Sequence, residues 1–125
     1  MGEKIRYHTD LEVYQLAFTA AKQIFEITKS FPKGEVYSLT DQIRRSSRSV
    51  CANLAEAWRK RRYPAAFIYS LNHVEAEAAE TQVWLSFSKE CAYISNKQVD
   101  TLINNYDHIL GIIVTMIKHP DKWVI

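Results

Sequence analysis

The sequence predicts an all-α protein: an antiparallel four-helix bundle with up-down-up-down topology. Along four segments, apolar residues recur at alternating steps of three and four, which is the spacing of core-facing positions on a helix. Only three glycines and three prolines occur in 125 residues, which leaves few turns and favours long helices. Hydrophobic residues make up 47% and charged residues 24% of the chain, as in ordinary globular domains. We therefore expect one domain covering residues 1–125.

The first predicted helix covers residues 10–30. Thr9 and Glu12 have the spacing of a capping box, in which two side chains bond to the free N–H groups at a helix start. Its apolar row consists of Val13, Ala17, Ala20, Ile24, Ile27 and Phe31. Pro32 and Gly34 are expected to end this helix, because a proline disfavours helical geometry in the residue before it.

The second predicted helix covers residues 38–62. Ser38 is expected to cap its start, and Asp41 lies near the positive end of the helix dipole. Its apolar row consists of Leu39, Ile43, Val50, Leu54 and Ala57. Pro64 suits the first position of a third helix, where its missing N–H costs nothing. The turn between these helices is therefore short, and they should pack as antiparallel neighbours.

The third predicted helix covers residues 64–92 and has two apolar rows. One row is expected to face the core and consists of Phe67, Leu71, Val74, Ala78 and Leu85. The other lies roughly opposite and consists of Tyr69, Ala76, Ala79, Val83 and Phe87. A helix that is apolar on two sides is buried on two sides, so we predict that the second row is an oligomer interface. The alternative is that long neighbouring helices of the same chain cover both rows.

The fourth predicted helix covers residues 96–118. Ser95 and Gln98 form a second capping-box pattern at its start. Its apolar row consists of Val99, Leu102, Ile103, Tyr106, Leu110, Ile113 and Ile117. Pro120 is expected to end it.

A basic stretch between Gln42 and Pro64 holds seven of the sixteen Lys and Arg residues and only one acid, Glu56. Its net charge is +6, whereas the whole chain carries only +2. The predicted nucleic-acid-binding residues are Arg44, Arg45, Arg48, Arg59, Lys60, Arg61 and Arg62. Arginine binds phosphate with two parallel hydrogen bonds, and no acid follows the arginine row at the next helical turn. The alternative is an ordinary solvated helix face.

A polar row runs along the shoulder of the second helix, between its apolar and basic sides. It consists of Gln42, Ser46, Ser49, Asn53 and Glu56. Polar residues in such positions commonly satisfy backbone groups or fix the register between helices. We therefore interpret this shoulder as structural, with hydrogen bonds to a neighbouring helix.

Several of these residues form the pattern of a known family. The residues concerned are Asp10-Leu11, Phe31-Pro32, Gln42-Ile43-Arg44-Arg45, Ser49, Asn53, Ala55 and Glu56. From about Asp10 to Ile117 the chain resembles the four-helix-bundle proteins encoded in 23S rRNA intervening sequences. Ala57 stands where that family usually has a glycine, and Ala76-Glu77 replaces a Gly-Ser pair.

This resemblance implies a helical bundle, ring-like homo-oligomers that are pentamers in related proteins, and a nucleic-acid partner. The chain is also similar to the accessory variability protein of diversity-generating retroelements. That protein works with a reverse transcriptase and its RNA.

The sequence does not indicate an enzyme. His73, Glu77 and Glu80 share one helix face, but the Glu-x-x-His pairs of di-iron bundles are missing. We interpret that face as acidic and suited to arginines of a neighbour, and we expect no catalytic residues, metal or cofactor. Cys51 and Cys91 are expected to be free thiols. No apolar run approaches the roughly 20 residues of a membrane span and no signal peptide is recognisable, so we expect a cytoplasmic protein without a membrane partner.

The leading functional hypothesis is a non-enzymatic nucleic-acid-binding or RNA-associated accessory protein that works as a homo-oligomer. The alternative is a structural adaptor whose oligomeric ring binds a protein partner. Salt-sensitive binding of RNA or DNA separates the two, because neutralising phosphates releases counterions.

Overall fold

A computed structural model describes residues 5–125 and confirms the predicted fold class. The four helices are α1 (Glu12–Thr28), α2 (Leu39–Arg59), α3 (Pro64–Glu90) and α4 (Asn96–Lys118). Short 3-10 helices are formed by His8–Asp10, Lys33–Glu35 and Pro120–Lys122. No strand occurs among the described residues.

The helices pack against their neighbours in chain order, and α4 closes the bundle against α1. The core contains most residues of the predicted apolar rows, and its largest fully buried side chains include Tyr106, Phe67, Ile24, Ile43, Leu54 and Leu85. The predicted row of α4 is partly wrong, because Ile109 and Met116 are buried whereas Ile103, Leu110 and Ile117 are only partly buried. Burying an aliphatic or phenyl side chain of this size contributes about 1.5–3 kcal/mol. Because neighbouring helices run in opposite directions, α2 ends and α3 begins at the same end of the bundle as the start of α1 and the end of α4.

The start of α1 differs from the prediction. The capping box of Thr9 and Glu12 is wrong, because a 3-10 turn precedes the helix and Leu11 occupies the position before its first residue. Asp10 takes the capping role for this turn, since its Oδ2 accepts hydrogen bonds from the backbone N–H groups of Tyr7 and Arg6, each at 3.0 Å. These bonds lower the pKa of the Asp10 carboxyl.

The start of α2 is also capped by a different residue. Ser38 stands at the cap position, but its Oγ donates to Glu35 Oε1 at 2.6 Å instead of accepting from the helix. Glu35 Oε1 accepts from the N–H of Leu39 at 3.4 Å, and Oε2 accepts from the Tyr93 hydroxyl at 2.7 Å. The hydrogen bond from Ser38, and to a lesser extent the one from Tyr93, lowers the pKa of the Glu35 carboxyl. The hydrogen bond between Tyr93 and Glu35 raises the pKa of the Tyr93 hydroxyl to about 12. Glu35 therefore joins the α1–α2 connection to the end of α3.

The capping box at the start of α4 is confirmed. Ser95 Oγ accepts from the N–H of Gln98 at 3.2 Å, and Gln98 Oε1 accepts from the N–H of Ser95 at 3.4 Å. Pro64 is the first residue of α3, as predicted. However, α2 ends at Arg59, so Lys60, Arg61 and Arg62 lie in the turn and not on the helix.

Candidate nucleic-acid interface

The first three arginines of the basic stretch lie along the first half of α2. Arg44 Nε donates to Thr28 Oγ1 on α1 at 2.8 Å, and its guanidinium lies 4.6 Å from the centre of the Phe25 ring. The Arg48 guanidinium lies 5.4 Å from the centre of the same ring. Both side chains therefore already have partners on α1, and contact with a phosphate would compete with them.

Arg45 points to the other side of α2, toward α3. It lies 3.8 Å from Asp41, one turn earlier. It also lines a polar cleft of about 270 Å³ that includes Glu77 and Glu80 of α3. Burial raises the pKa of the Glu77 carboxyl, and the nearby Glu80 charge raises it further. The charges of His73 and Arg45 act in the opposite direction. Arg45 thus lies near acids of its own chain, while its side chain remains 76% exposed.

The last four basic residues form a group at the α2–α3 turn. Lys60 lies 3.8 Å from Glu56. The Arg61 guanidinium lies 3.4 Å from the centre of the Trp58 ring, and its Nε donates to the Trp58 carbonyl at 2.8 Å. Arg59 and Arg62 are exposed and form no salt bridge among residues 5–125.

Arg61 is partly buried and lies beside a second cation, Arg59. Partial burial, and then the Arg59 charge, lower the pKa of the Arg61 guanidinium. Two adjacent cations repel each other, and a bound anion would relieve this repulsion.

Trp58 connects this turn to both ends of the described chain. Its indole Nε1 donates to the Arg6 carbonyl at 3.1 Å, and its ring packs edge-on against Trp123 at 6.3 Å between centres. The backbone N–H of Ile125 donates to the Arg61 carbonyl at 3.2 Å. The segments before α1 and after α4 are therefore fixed beside the α2–α3 turn.

This arrangement brings basic residues from outside the basic stretch to the α2–α3 turn. We use the name basic end for the group Arg6, Arg59, Lys60, Arg61, Arg62, Lys118 and Lys122. Two exposed tyrosines, Tyr7 and Tyr63, lie at the same end. The added cations are distant from the basic stretch in sequence, but the antiparallel topology alone would have indicated that the start of the first helix and the end of the fourth meet the α2–α3 turn.

The residues of the polar shoulder have different environments. Ser46 is buried and accepts a hydrogen bond from Thr81 Oγ1 on α3 at 2.8 Å. Asn53 instead bonds to its own helix, since its Nδ2 donates to the Ser49 carbonyl at 2.8 Å. Gln42 and Glu56 are exposed. Within the described chain, only Ser46 of this row bonds to a neighbouring helix.

The second apolar row of α3 lies on the outside of the bundle. Tyr69 is 64%, Val83 48% and Phe87 53% exposed, and Ala76 and Ala79 are exposed as well. The alternative that other helices of the same chain cover this row is therefore wrong. We call this surface the outer face of α3, defined by Tyr69, Ala76, Ala79, Val83 and Phe87. In a single chain this face is exposed to solvent.

The described residues contain neither a metal-ligand cluster nor a membrane-spanning helix. In residues 5–125, no group of three or more His, Cys, Asp or Glu side chains is placed to hold a metal ion. None of the described helices combines the length and the apolar character needed to cross a membrane. Cys51 and Cys91 are free thiols, the first half-buried and the second exposed.

Comparison with known proteins gives one family. Residues 9–115 match the family described as 23S rRNA-intervening sequence protein. A similar solved structure is a protein with unknown function from the S23 ribosomal protein family of Bacteroides thetaiotaomicron. It is 29% identical, with a TM-score of 0.76 over 85% of this chain and 95% of that chain. None of the curated proteins matches the sequence.

Proposed function

The chain belongs to the 23S rRNA-intervening sequence protein family, and from this premise we propose that it is a non-enzymatic, RNA-associated accessory protein. In this proposal it binds nucleic acid through the basic end and works as a homo-oligomer in the cytoplasm. The family description supports RNA as the partner class. The basic end supports the location of the contact.

The observation that carries the proposal is the convergence of three chain segments on one end of the bundle. Arg6 and Lys122 come from segments that Trp58 holds against the α2–α3 turn, where Arg59 and Arg62 are exposed. Clustered lysines and arginines supply the sequence-independent part of nucleic-acid affinity. The acids at this end are Asp10, Glu12, Glu56 and Asp121, fewer than the seven cations.

The start of α3 adds to the attraction for phosphate. Its cap residue, Tyr63, makes no side-chain bond to the helix, and its first turn contains no acid. The free N–H groups at a helix start, together with the helix dipole, favour anions. Arg62 precedes the cap residue Tyr63, so an exposed cation lies next to this helix start in the chain.

Assembly would strengthen this binding. The outer face of α3 exposes three large apolar side chains on one helix face, which is typical of an interaction surface. A symmetric oligomer presents several copies of the basic end to one RNA, and linked weak contacts give a much higher total affinity.

Salt-dependent RNA binding tests the proposal. We expect wild-type protein to bind a fluorescent single-stranded RNA of mixed sequence, with log affinity falling linearly with log salt. The variant Arg59→Glu/Arg62→Glu should bind far more weakly. Its salt slope should be less steep by about 1.4, because each lost phosphate contact on a single strand contributes about 0.7.

The matched control changes two exposed lysines at the opposite end of the bundle, Lys33→Glu/Lys97→Glu. It has the same change in net charge and should retain most of the affinity. Equal losses in both variants would show a general charge effect and contradict a localised site.

The structural adaptor remains the second candidate, and one observation favours it. Arg44, Arg45, Arg48, Lys60 and Arg61 all have partners within their own chain. If wild-type protein shows no salt-sensitive retention of RNA or DNA, the oligomer would serve to hold a protein partner instead.

A further inference from the structure

Two exposed tyrosines at the basic end each follow an exposed arginine directly in the chain. The pairs are Arg6-Tyr7 and Arg62-Tyr63. Tyr7 is 60% and Tyr63 61% exposed, so both side chains present most of their surface to solvent. An aromatic ring beside a cation suits the two parts of a nucleotide, its base and its phosphate. The two pairs therefore offer a nucleic acid more than positive charge.

The rings of Tyr7 and Tyr63 have no aromatic partner among residues 5–125. Three other exposed rings do have one, at centre distances of 4.7 to 6.0 Å: Phe18, Tyr69 and Phe87. The Arg6 guanidinium lies 5.8 Å from the centre of the Tyr7 ring, close to the limit of about 6 Å for a cation–π contact. Base stacking needs a free aromatic face, and these two rings keep one.

The backbone that carries both rings is fixed by local contacts. Asp10 Oδ2 holds the N–H groups of Arg6 and Tyr7, each at 3.0 Å. The N–H of Tyr63 donates to the Lys60 carbonyl at 2.9 Å. The proline that follows Tyr63 disfavours helical geometry there, and the Tyr63 backbone is accordingly extended, with φ −121° and ψ 97°. A fixed backbone reduces the conformational entropy that is lost when a ring binds a ligand.

Trp58 joins the two pairs at one end of the bundle. Its indole Nε1 donates to the carbonyl of Arg6 at 3.1 Å. Trp58 lies in the last turn of α2, and the chain continues from there through the α2–α3 turn to Arg62 and Tyr63. One hydrogen bond therefore connects the first pair to the turn that carries the second pair. Both pairs meet a ligand at the same end of the molecule.

Unpaired nucleotides suit these rings better than a duplex does. In a double helix the bases stack on one another, and an A-form RNA duplex presents mainly phosphates and ribose hydroxyls to a protein. Charge alone would favour the duplex, because its phosphates are more densely spaced than those of a single strand. The free aromatic faces are therefore the feature of the basic end that favours the single strand.

We propose that the basic end binds unpaired nucleotides, with one base stacked on Tyr63, another on Tyr7, and phosphates bound by Arg6 and Arg62. This inference rests on the RNA contact of the proposed function and adds the class of RNA, which is single-stranded segments, loops and ends. Every base has an aromatic face, so the contact tolerates any base sequence.

Tyrosine variants that keep the net charge test this inference. Each lost stacking contact should lower the affinity for a single strand about tenfold, so Tyr7→Ala/Tyr63→Ala should lower it about a hundredfold. The probe is a fluorescent RNA of about 12 nucleotides without self-complementarity, within the site size usual for single-strand binding. The affinity for a blunt RNA duplex of the same length should fall less than about twofold. The salt slope should not change, because no cation is removed.

Two controls separate stacking from other roles of a tyrosine. Tyr7→Phe/Tyr63→Phe keeps both rings, loses only the hydroxyls and should retain the affinity within about threefold. Tyr37→Ala removes a ring that is 94% exposed at the opposite end of the bundle and should leave RNA binding unchanged. Because all these positions are exposed, each variant should unfold at nearly the wild-type temperature.

A fluorescent base gives a second readout that a merely structural role would not change. Stacking on an aromatic side chain quenches the emission of a fluorescent adenine analogue placed within the single strand. We expect quenching when the wild-type protein binds at saturating concentration, and recovery of the emission with the double alanine variant at saturation.

Three outcomes would contradict the inference, and they are distinguishable. If the double alanine variant binds single strands as tightly as wild type while Arg59→Glu/Arg62→Glu does not, the RNA contact stands and the stacking is overturned. Equal losses of affinity for single strands and for the duplex would overturn it too, because the tyrosines would then act on both forms alike. If wild-type protein binds neither RNA, the proposed function fails together with the inference.

Discussion

The basic stretch divides into two segments that the structure treats differently. In the first, Arg44 and Arg48 contact Thr28 and Phe25 on α1, and Arg45 faces acids. In the second, around the α2–α3 turn, Arg59 and Arg62 are exposed and lie beside cations from other segments of the chain. Charge density in a sequence therefore does not reveal which guanidinium groups can bind a partner. In the first segment Arg44 is bound to α1, whereas in the second segment Arg59 and Arg62 are exposed without an ion pair among residues 5–125.

The largest expected effect comes from removing the anchor of the second segment. Trp58→Ala should lower the free energy of unfolding by about 3–5 kcal/mol, as for other buried aromatic residues. Trp58 is buried, bonds to the Arg6 carbonyl and lies under Arg61. Urea denaturation measures the loss. Trp58→Phe is the control, since it keeps most of the apolar volume and should cost less. A loss equal to that of the alanine variant would show that the indole hydrogen bond dominates the anchor.

Alanine variants of one arginine from each segment should show the next largest difference in the free energy of unfolding. Arg44→Ala should lower the free energy of unfolding by about 1–2 kcal/mol, because it removes a charged hydrogen bond and a cation–π contact. Arg59→Ala should change it by no more than about 0.5 kcal/mol, as is usual for exposed residues. The RNA affinity should show the reverse order. Equal stability losses would contradict the division into segments.

In the polar shoulder of α2, a residue bonded to another helix should likewise contribute more to stability than a residue bonded to its own helix. Ser46→Ala removes a buried hydrogen bond to Thr81 and should cost about 1 kcal/mol. Asn53→Ala removes a bond to a carbonyl of its own helix and should change the stability by less than about 0.5 kcal/mol. Thermal unfolding of the two variants measures both. A larger loss for Asn53→Ala would reveal a partner on another chain.

The smallest expected effect concerns Cys51, which lies on α2 between the two segments. Burial raises the pKa of its thiol from 9.0 to about 11, so about one thiol in a thousand is ionised at pH 8. Iodoacetamide should therefore modify the exposed Cys91 first. The folded state favours the protonated thiol, so this contribution to stability is complete below pH 9 and is lost as the pH rises through about 11.

Mass spectrometry after timed labelling of the native protein identifies the modified thiol. In the Arg44→Ala variant, Cys51 should react faster if the first segment holds α2 against α1. Unchanged labelling would show that the apolar core alone holds the two helices together.

Although the predicted row of α4 misses the buried Ile109 and Met116, the fold class, the four helices and most core residues could be predicted from the sequence alone. This was possible because helical periodicity is local: a few turns of spacing reveal which face of a helix is buried. Pro64 and the pair Ser95 and Gln98 also act within one turn, and both were predicted correctly. The capping box predicted for Thr9 and Glu12 is wrong because a 3-10 turn precedes α1. The spacing of these two residues does not show whether an α-helix or a 3-10 turn follows Thr9.

Which basic residues are available to a partner depends on the packing of the helices and could not be read from the sequence. An arginine side chain is long enough to reach another helix, so its contacts depend on partners distant in sequence, as Arg44 shows with Thr28 on α1. The same holds for the gathering of Arg6 and Lys122 beside the α2–α3 turn, which depends on how the bundle closes. Local spacing fixes the helices because their hydrogen bonds are local, whereas charges act through space and are placed by packing.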